Sequence, residues 1–175
     1  MHTLTLDTPG GQLTAIADDD HTVLAAGFCD AAELAARLGL PAPPPPHAGP
    51  SPAGDAVAAY VAGDLGALDR VHTRQAGTDF QQAVWSALRA IPPGETASYA
   101  EIAAAIGRPQ ATRAVGSACG RNLIAPFVPC HRAVRTDGSL GGYAYGLAVK
   151  GWLLSLESGQ GGRDEARAPA ARSAV

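Results

Sequence analysis

The chain has 175 residues, a formal net charge of -3 and three cysteines. This length suffices for one ordinary domain or two small ones, with a core that needs no disulfides or metal ions for support. The odd number of cysteines, without metal-type spacing, argues against a disulfide framework and favours a reducing compartment, and no apolar stretch is long enough to span a bilayer. We therefore expect a cytoplasmic protein with no membrane partner.

The first 75 residues predict a small antiparallel sheet with two helices. Apolar and polar residues alternate over 3–6, 13–16 and 23–26, and turn-forming residues separate these stretches, which is typical of a meander. A helix predicted over 31–38 leads into a proline-rich stretch, 41–54, which we interpret as a linker because consecutive prolines favour an extended conformation. A second short helix is expected over 55–61. Together these elements predict an N-terminal domain over residues 1–75.

Residues 76–158 predict a mainly helical second domain. Thr78 with Gln81, and Ser98 with Glu101, are capping boxes that each open a helix. The second of these helices ends near Gly107, and a third is predicted to start at Pro109 and to continue to about residue 118. A helix, a glycine-containing turn and a helix form the pattern of a helix-turn-helix, although an ordinary helical hairpin has the same pattern.

The end of the chain predicts short strands and one helix around a Pro-Cys-His-Arg tetrad, residues 129–132. A short strand is expected over 127–128, and a small hairpin or wing over 133–138. The last helix is predicted over 147–157. Residues 159–175 are rich in Gly, Ala and charged residues without periodicity and predict a disordered tail.

Charge is unevenly distributed along the chain. Residues 1–75 carry 3 basic and 9 acidic side chains, whereas residues 76–157 carry 7 and 5. Between Ile102 and Thr136 there are five arginines and no carboxylate. Such a positive field suits a phosphate backbone, although chance clustering on a solvated surface is the alternative.

The tetrad contains the candidate nucleophile, Cys130. A neighbouring imidazole or positive charge lowers the pKa of a cysteine toward the reactive thiolate, and His131 and Arg132 follow Cys130 directly. Glu157 is four residues beyond Leu153 on the packed face of the last helix, and a buried carboxylate needs a partner, for which His131 is the candidate. The alternative is that Cys130 is an inert core residue.

These residues and the motifs around them resemble the O6-alkylguanine-DNA alkyltransferases, also called methylated-DNA–protein-cysteine methyltransferases. The resemblance is close from Gly77 to Glu157 and looser before it. It implies an α+β fold with an RNase H-like N-terminal domain and a winged helix-turn-helix in the C-terminal domain. The matching motifs are Gly77-Thr78-Asp79-Phe80-Gln81, Ile91-Pro92-Pro93-Gly94-Glu95-Thr96, Ser98-Tyr99, Arg113-Ala114-Val115-Gly116, Asn122, the tetrad, Gly142-Tyr143 and Leu153-Leu154-Ser155-Leu156-Glu157.

The resemblance also implies the catalytic roles. Cys130 would accept the alkyl group, His131 would act through a water as the base, and Glu157 would orient that imidazole. Tyr99 would donate a proton to the departing guanine, and Asn122 would brace the hinge beside Cys130. The reaction would use no cofactor, and each molecule would act once because a thioether is not readily hydrolysed.

The implied partner is double-stranded DNA that contains O6-alkylguanine, with O4-alkylthymine as a further substrate. The helix-turn-helix would lie in the minor groove, and Arg113 would fill the space left by the flipped nucleotide. We expect a monomer in the bacterial nucleoid, and cooperative binding on DNA is left open. The predicted DNA-binding residues are Arg113, Tyr99, Ala100, Arg108, Ala114, Gly116, Arg135 and Thr136.

The expected substrate pocket departs from the family at Tyr145, where many relatives have glycine. A tyrosine ring in the pocket wall would narrow it, so methyl would be accepted well and benzyl-sized groups poorly. The alternative is that Tyr145 turns out to solvent or lies along the DNA backbone, with its hydroxyl in water. The predicted pocket residues are Val128, Pro129, Tyr143, Ala144 and Tyr145.

No metal site is predicted, although some relatives bind zinc in the first domain. The available side chains, His2, His21, Cys29, His47 and His72, lack metal-ligand spacing. We interpret Cys29 and Cys119 as small packing residues.

Three other functions remain as alternatives. A non-catalytic protein that binds alkylated bases would lack the acceptor cysteine, which this chain has. A transcriptional regulator would need a longer and more polar recognition helix than residues 111–118 offer. A cysteine hydrolase fits poorly with the order of the candidate residues.

Overall fold

The computed structural model describes residues 1–159, so the tail predicted over 159–175 lies outside the described residues except for Gly159. The fold is a mixed α/β arrangement of a small antiparallel sheet and six α-helices within these residues. The elements in chain order are β1 His2–Thr8, β2 Gly11–Ala17, β3 Val23–Gly27, α1 Ala31–Arg37, α2 Pro52–Val61, α3 Asp79–Arg89, β4 Ala97–Ser98, α4 Tyr99–Ala105, α5 Thr112–Gly120, β5 Ala133–Val134 and α6 Leu147–Glu157.

The predicted N-terminal meander is confirmed. β1 pairs with β2 and β2 pairs with β3, both antiparallel, so that Leu4 lies opposite Ala15. Alternation gives the sheet two faces, because successive side chains of a strand point in opposite directions. Ile16 and Ala25 pack with Leu34 of α1 on one of these faces, whereas Leu4 and Leu13 contribute to the main core on the other.

The proline-rich stretch is hydrogen-bonded to the edge of β1, and its description as a linker within the first domain stays a prediction. The backbone N–H of Thr3 donates to the carbonyl of Pro45, and the N–H of His47 donates to the carbonyl of Thr3, both at 2.8 Å. Prolines lack the donor but keep the carbonyl, so the stretch can still accept from the edge of β1. α2 also begins earlier than expected, at Pro52, because Ser51 caps it.

Two helices of the second half, α3 and α4, start at the predicted capping boxes. Thr78 and Gln81 at α3, and Ser98 and Glu101 at α4, each make both reciprocal hydrogen bonds. α5 begins at Thr112, not at Pro109, because the N–H of Ala111 is used in a turn to the carbonyl of Arg108. The connection between α4 and α5 is therefore longer than predicted.

The segments around the tetrad differ from the predicted strand and hairpin. Residues 127–128 lie in a turn, and Cys130–Arg132 forms a 3-10 helix. β5 pairs in parallel with β4, so residues 133–138 are not a hairpin, although a turn does join Arg135 to Ser139. The periodicity of the sequence cannot predict this pairing, because each of the two strands has only two residues.

One buried cluster links both halves of the chain, with Leu13 and Tyr60 on one side and Leu88, Phe127 and Leu153 on the other. The domain boundary near residue 75 stays a prediction. α6 spans Leu147–Glu157 as predicted and delivers Glu157 to the centre of this core.

No helix within residues 1–159 has both the length and the apolar character needed to cross a bilayer.

Candidate active site

Cys130 opens into a cavity of about 400 Å³ between α4, α5 and the loop before α6. The side chain is only 8% exposed. Gly141 has φ 67° and lies so close to the Tyr99 hydroxyl that an added Cβ would come within 3.0 Å of it, so glycine lets this loop approach Tyr99. The cavity is lined by Tyr99, Gly116, Cys119, Gly120, Cys130, Gly142, Tyr143 and Ala144.

The environment of Cys130 differs from the one inferred from its neighbours in sequence. Burial raises the pKa of the Cys130 thiol, while the Asn122 Nδ2 donor, 3.2 Å from Sγ, and the Lys150 cation act in the opposite direction. His131 and Arg132 instead direct their side chains to Glu157. The prediction that both residues lower the pKa of Cys130 is thus corrected, because in this 3-10 helix they extend behind the thiol.

His131 is fully buried and paired with Glu157. Its Nε2 is 2.9 Å from Oε1 of Glu157, and its Nδ1 has no hydrogen-bond partner among the described residues. Burial lowers the pKa of His131, and this effect outweighs the opposing hydrogen bond to Glu157. A neutral imidazole that donates from Nε2 leaves Nδ1 as an acceptor for a proton.

Glu157 is the most heavily bonded side chain of the site. Arg132 donates from Nε at 3.0 Å and from Nη2 at 2.9 Å, and the Tyr60 hydroxyl donates to Oε1 at 2.7 Å. Burial acts to raise the pKa of Glu157, but the hydrogen bonds from His131 and Arg132 outweigh it and lower the pKa. Glu157 therefore stays ionised and compensated in the core.

Asn122 joins the end of α5 to the turn that bears Cys130. Its Nδ2 donates to the carbonyl of Val128 at 2.8 Å as well as to the sulfur, and its Oδ1 accepts from the N–H of Ile124 at 3.0 Å. Gln75 donates to the same Oδ1 at 3.1 Å. A fully bonded amide of this kind has one orientation, which fixes the donor beside the thiol.

Sequence reasoning missed Tyr60 and Lys150. Lys150 is fully buried, and its Nζ donates to the carbonyls of Ala133, Leu140 and Gly142, which ties the cavity loop to β5. Its spacing from Leu153, three residues on, could have identified it as inward-facing. Tyr60 also lies on an apolar helix face, but no local pattern indicates its partner 97 residues away.

The other two cysteines are distinct from Cys130. Burial raises the pKa of Cys29 to about 11 and that of Cys119 to about 12, and neither has a neighbouring donor like Asn122. Cys119 nevertheless lines the cavity. Both thiols are therefore protonated at neutral pH, and Cys130 differs from them in the Asn122 donor at its sulfur.

Histidines of the first half pack against one another, with the rings of His2 and His47 centred 4.4 Å apart and that of His21 beside them. Across the described part of the chain, no three His, Cys, Asp or Glu side chains are arranged to hold a metal ion. The stacked arrangement of His2 and His47 differs from ligands that converge on one centre.

The predicted DNA-binding residues lie on α4, α5 and the neighbouring turns. Arg113 and Ala114 are exposed on α5, and Gly116 faces the cavity. Arg108 is exposed in the turn between α4 and α5. Tyr99 lines the cavity, and the remaining three border a shallow cleft beside β5, namely Ala100, Arg135 and Thr136.

The predicted pocket residues separate into two groups. Tyr143 and Ala144 line the cavity. Val128 and Pro129 are buried in the turn before Cys130 and do not line it. Tyr145 does not line it either, because its ring turns toward the N-terminal sheet and its hydroxyl hydrogen-bonds with Arg37 and the carbonyl of Ala26. The structural basis for a pocket narrowed by Tyr145 is thereby removed.

Comparison with known proteins gives one consistent family. A family model described as 6-O-methylguanine DNA methyltransferase, DNA binding domain, matches residues 79–159. The methylated-DNA–protein-cysteine methyltransferase of Salmonella typhimurium is 50% identical over 103 residues, which span 59% of this chain and 60% of that protein. That of Mycobacterium bovis is 52% identical over 116 residues, 66% of each chain.

Structural similarity extends over nearly the whole chain. The crystal structure of Mycobacterium tuberculosis OGT in complex with DNA is matched with a TM-score of 0.79 and 42% identity, over 94% of this chain and 98% of that one. The N-terminal sheet is therefore included in the likeness. With the buried Cys130, His131 and Glu157 and the cavity above them, these matches show that the chain belongs to the family of the methylated-DNA–protein-cysteine methyltransferases.

Proposed function

We propose that this protein repairs alkylated DNA by moving the alkyl group of O6-alkylguanine in duplex DNA to the sulfur of Cys130. One observation carries the proposal: Cys130 opens into a cavity of about 400 Å³, beside the Asn122 amide and in front of the buried His131–Glu157 pair. A volume of this size suits a small-molecule ligand such as a flipped base. Membership of the family supports the same reaction.

The transfer proceeds as one displacement at the alkyl carbon. Nδ1 of His131 takes the thiol proton through a water, and the thiolate of Cys130 forms the new sulfur–carbon bond as the carbon–oxygen bond to guanine breaks. The leaving base keeps the electron pair and takes a proton from the Tyr99 hydroxyl, which is restored by the proton that His131 holds. The net result is S-alkylcysteine and guanine, with no redox change and no cofactor.

Glu157 supports this step by holding the imidazole in one tautomer. Because its carboxylate accepts from Nε2 of His131, Nδ1 is the free acceptor. Arg132 and Tyr60 keep the carboxylate charged and oriented. The thioether that forms is not readily hydrolysed, so each molecule acts once.

DNA binding in this proposal uses α4 and α5 as a helix-turn-helix in the minor groove, with the turn beside β5 as the wing. Arg113 is exposed on α5, where it can enter the base stack and replace the flipped nucleotide. The small residues Ala114 and Gly116 allow close approach of the backbone. The N-terminal half in this proposal is RNase H-like, and its helix α2 supports the catalytic half through Tyr60.

The oligomeric state, the location and a second substrate are inferred from the same proposed activity. We infer that the protein acts as a monomer in the cytoplasm, at the nucleoid, and that O4-alkylthymine in duplex DNA is also a substrate. The carboxylate-free stretch with its five arginines supports sequence-independent contact with phosphates.

The proposal is tested by the stoichiometry of repair. A duplex with one O6-methylguanine is incubated with increasing amounts of protein, and the remaining lesion is measured by nucleoside analysis. The lesion should disappear in proportion to the protein added, one for one, and Cys130→Ala should leave it intact. Catalytic turnover, or repair by Cys130→Ala, would contradict the proposal, whereas Cys119→Ala serves as the matched control and should retain repair.

A further inference from the structure

Tyr145 is anchored to the N-terminal half of the molecule. Nη1 of Arg37, at the end of α1, donates to the Tyr145 hydroxyl at 2.7 Å, and that hydroxyl donates to the carbonyl of Ala26 in β3 at 3.3 Å. The guanidinium carbon of Arg37 also lies 5.1 Å from the centre of the Tyr145 ring. Both the polar end and the face of the ring are therefore occupied.

The surface that receives the ring is shaped around it. A Cβ added at Gly27 would overlap the Tyr145 ring, so only glycine at the end of β3 leaves room for it. Phe28 packs edge-on against the same ring, with centroids 6.1 Å apart. Three consecutive residues of the sheet edge, Ala26, Gly27 and Phe28, thus hold one side chain of the cavity loop.

Arg37 has no competing partner in the described part of the chain. None of the ion pairs there includes Arg37, although its guanidinium is only partly exposed. Its principal polar contact is the Tyr145 hydroxyl. The Arg37 guanidinium therefore holds the Tyr145 side chain in place and is not part of a surface ion pair among the described residues.

The anchored ring is next to the cavity. Tyr143 and Ala144, the two residues before Tyr145 in the loop, both line the cavity, and the Tyr143 and Tyr145 rings are 5.6 Å apart. A rotation of Tyr145 away from β3 would bring its ring toward the space above Tyr143. The contacts with Arg37 and Ala26 oppose such a rotation and hold the ring outside the cavity.

We propose that Arg37 and the edge of β3 form a tether that holds Tyr145 outside the cavity and so keeps the cavity open to O6 substituents larger than methyl. The tether makes Arg37 and Tyr145 positioning residues for the substrate range. The substrate part of this inference rests on the proposed function, whereas the tether itself does not. Benzyl-sized groups are then accepted despite the tyrosine, the reverse of what the sequence alone suggests.

The test compares rate constants for alkylation of Cys130 by two duplexes, one with O6-benzylguanine and one with O6-methylguanine. Arg37→Met removes the guanidinium at similar length and should lower the ratio of benzyl to methyl rate constants about tenfold, because a freed ring overfills the site for the larger group. Arg37→Lys keeps a cationic donor and should retain most of the ratio. The double variant Arg37→Met with Tyr145→Gly should restore the native ratio.

The ratio separates the tether from general effects. Loss of the Arg37 charge changes the reactivity of the Cys130 thiol, and a weaker contact with DNA changes the binding of the duplex. Each effect is the same for both substrates, so neither changes the ratio of the two rate constants. An unchanged ratio in Arg37→Met, or no recovery in the double variant, would overturn the claim that the tether keeps the cavity open to larger substituents. A benzyl-to-methyl ratio of the native protein at least tenfold below that of Tyr145→Gly would also overturn this claim.

A measurement without substrate tests the tether independently. The unfolding free energies of Arg37→Met, Tyr145→Phe and the double variant form a cycle, and contact predicts that the two single losses do not add. Additive losses would overturn the tether. If the losses are non-additive but Cys130 is never alkylated, the tether stands and the proposed function fails together with the substrate part.

Discussion

At the scale of single residues, the site depends on charges and donors that the core holds in place. Glu157 accepts from His131, Arg132 and Tyr60, and it remains ionised because the hydrogen bonds from His131 and Arg132 outweigh the effect of burial on its pKa. Cys130 has one direct side-chain donor, Asn122. Burial raises the pKa of the thiol, so it is protonated at rest, and in the proposed mechanism His131 takes its proton.

Replacing Tyr60 with Phe should weaken both the fold and the relay. The change removes the hydroxyl that donates to Oε1 of Glu157 at 2.7 Å, and a buried hydrogen bond to a charged group stabilises by about 1.5–3 kcal/mol. We expect a loss of that order in urea unfolding, together with a slower alkylation of Cys130. Tyr143→Phe is the matched control for stability, since the Tyr143 hydroxyl has no hydrogen-bond partner among the described residues and its loss should cost little. Equal losses in both variants would show that the hydroxyl of Tyr60 has no particular importance.

The rate of alkylation should be constant near pH 8 and should fall to half of its maximum only below about pH 6.5. The base must be neutral to accept the thiol proton, and burial depresses the pKa of His131 below its ordinary value near 6.5. Half of the His131 side chains are therefore protonated only at a pH below that value. Single-turnover rates between pH 5 and 9, corrected for folded protein, measure the profile. A rate already halved above pH 7 would show that pairing with Glu157 raises the pKa instead.

At the scale of elements, α4 and α5 combine two tasks. Tyr99 at the first turn of α4 and Gly116 in α5 line the cavity, while Arg113 on α5 is exposed to the solvent. The capping box of Ser98 and Glu101 fixes where α4 begins and so where Tyr99 lies. In the proposed function, the residues that contact DNA and those that contact the substrate are thereby held on the same two helices.

Arg113→Ala should impair repair in duplex DNA much more than reaction with free O6-methylguanine. Only the duplex needs the vacated position in the stack to be filled, and unstacking a base costs a few kcal/mol. We expect a rate loss of about tenfold or more with the duplex and little change with the free base. Arg121→Ala is a matched control, because Arg121 is also exposed at the end of α5. Equal losses on both substrates would assign Arg113 to a structural or phosphate-binding role.

Local sequence signals predict most of these elements but not how they meet. The capping residues Thr78 and Ser98 fix two helix starts, and alternation predicts the meander. The pairing of β4 with β5 escapes prediction because two residues have no measurable period. Tyr60 and Tyr145 escape it for another reason: their partners are 97 and 108 residues away in sequence, and only tertiary packing brings them together. The candidate residues Cys130, His131, Glu157 and Asn122 are predicted from the sequence, whereas Tyr60 and Lys150 are not.

At the scale of the whole molecule, the two halves are joined at the active site. Tyr60 of α2 reaches Glu157, and Arg37 of α1 reaches Tyr145, so the N-terminal half contacts both the relay and the cavity loop. Gln75 adds a third link, to Asn122. The N-terminal half therefore supports the chemistry without containing the reacting groups.

Binding to undamaged duplex DNA should weaken steeply with added salt despite the net charge of -3. Acidic side chains are concentrated in residues 1–75, whereas the stretch from Ile102 to Thr136 has five arginines and no carboxylate. Each phosphate contact releases counterions, so the logarithm of the binding constant should fall linearly with the logarithm of the salt concentration. Fluorescence anisotropy at several salt concentrations measures the slope. A binding constant independent of salt would exclude these arginines as phosphate contacts.

The position of the transferred group tests the central claim most directly. After incubation with a duplex that carries one isotopically labelled O6-methylguanine, the protein is digested and each cysteine-containing peptide is analysed by mass spectrometry. Among the three thiols, Cys130 has the Asn122 donor at the sulfur and the buried His131–Glu157 pair behind it. We predict one labelled methyl group per molecule, located on Cys130. Label on Cys29 or Cys119, or no label on any cysteine while the lesion disappears, would contradict the account.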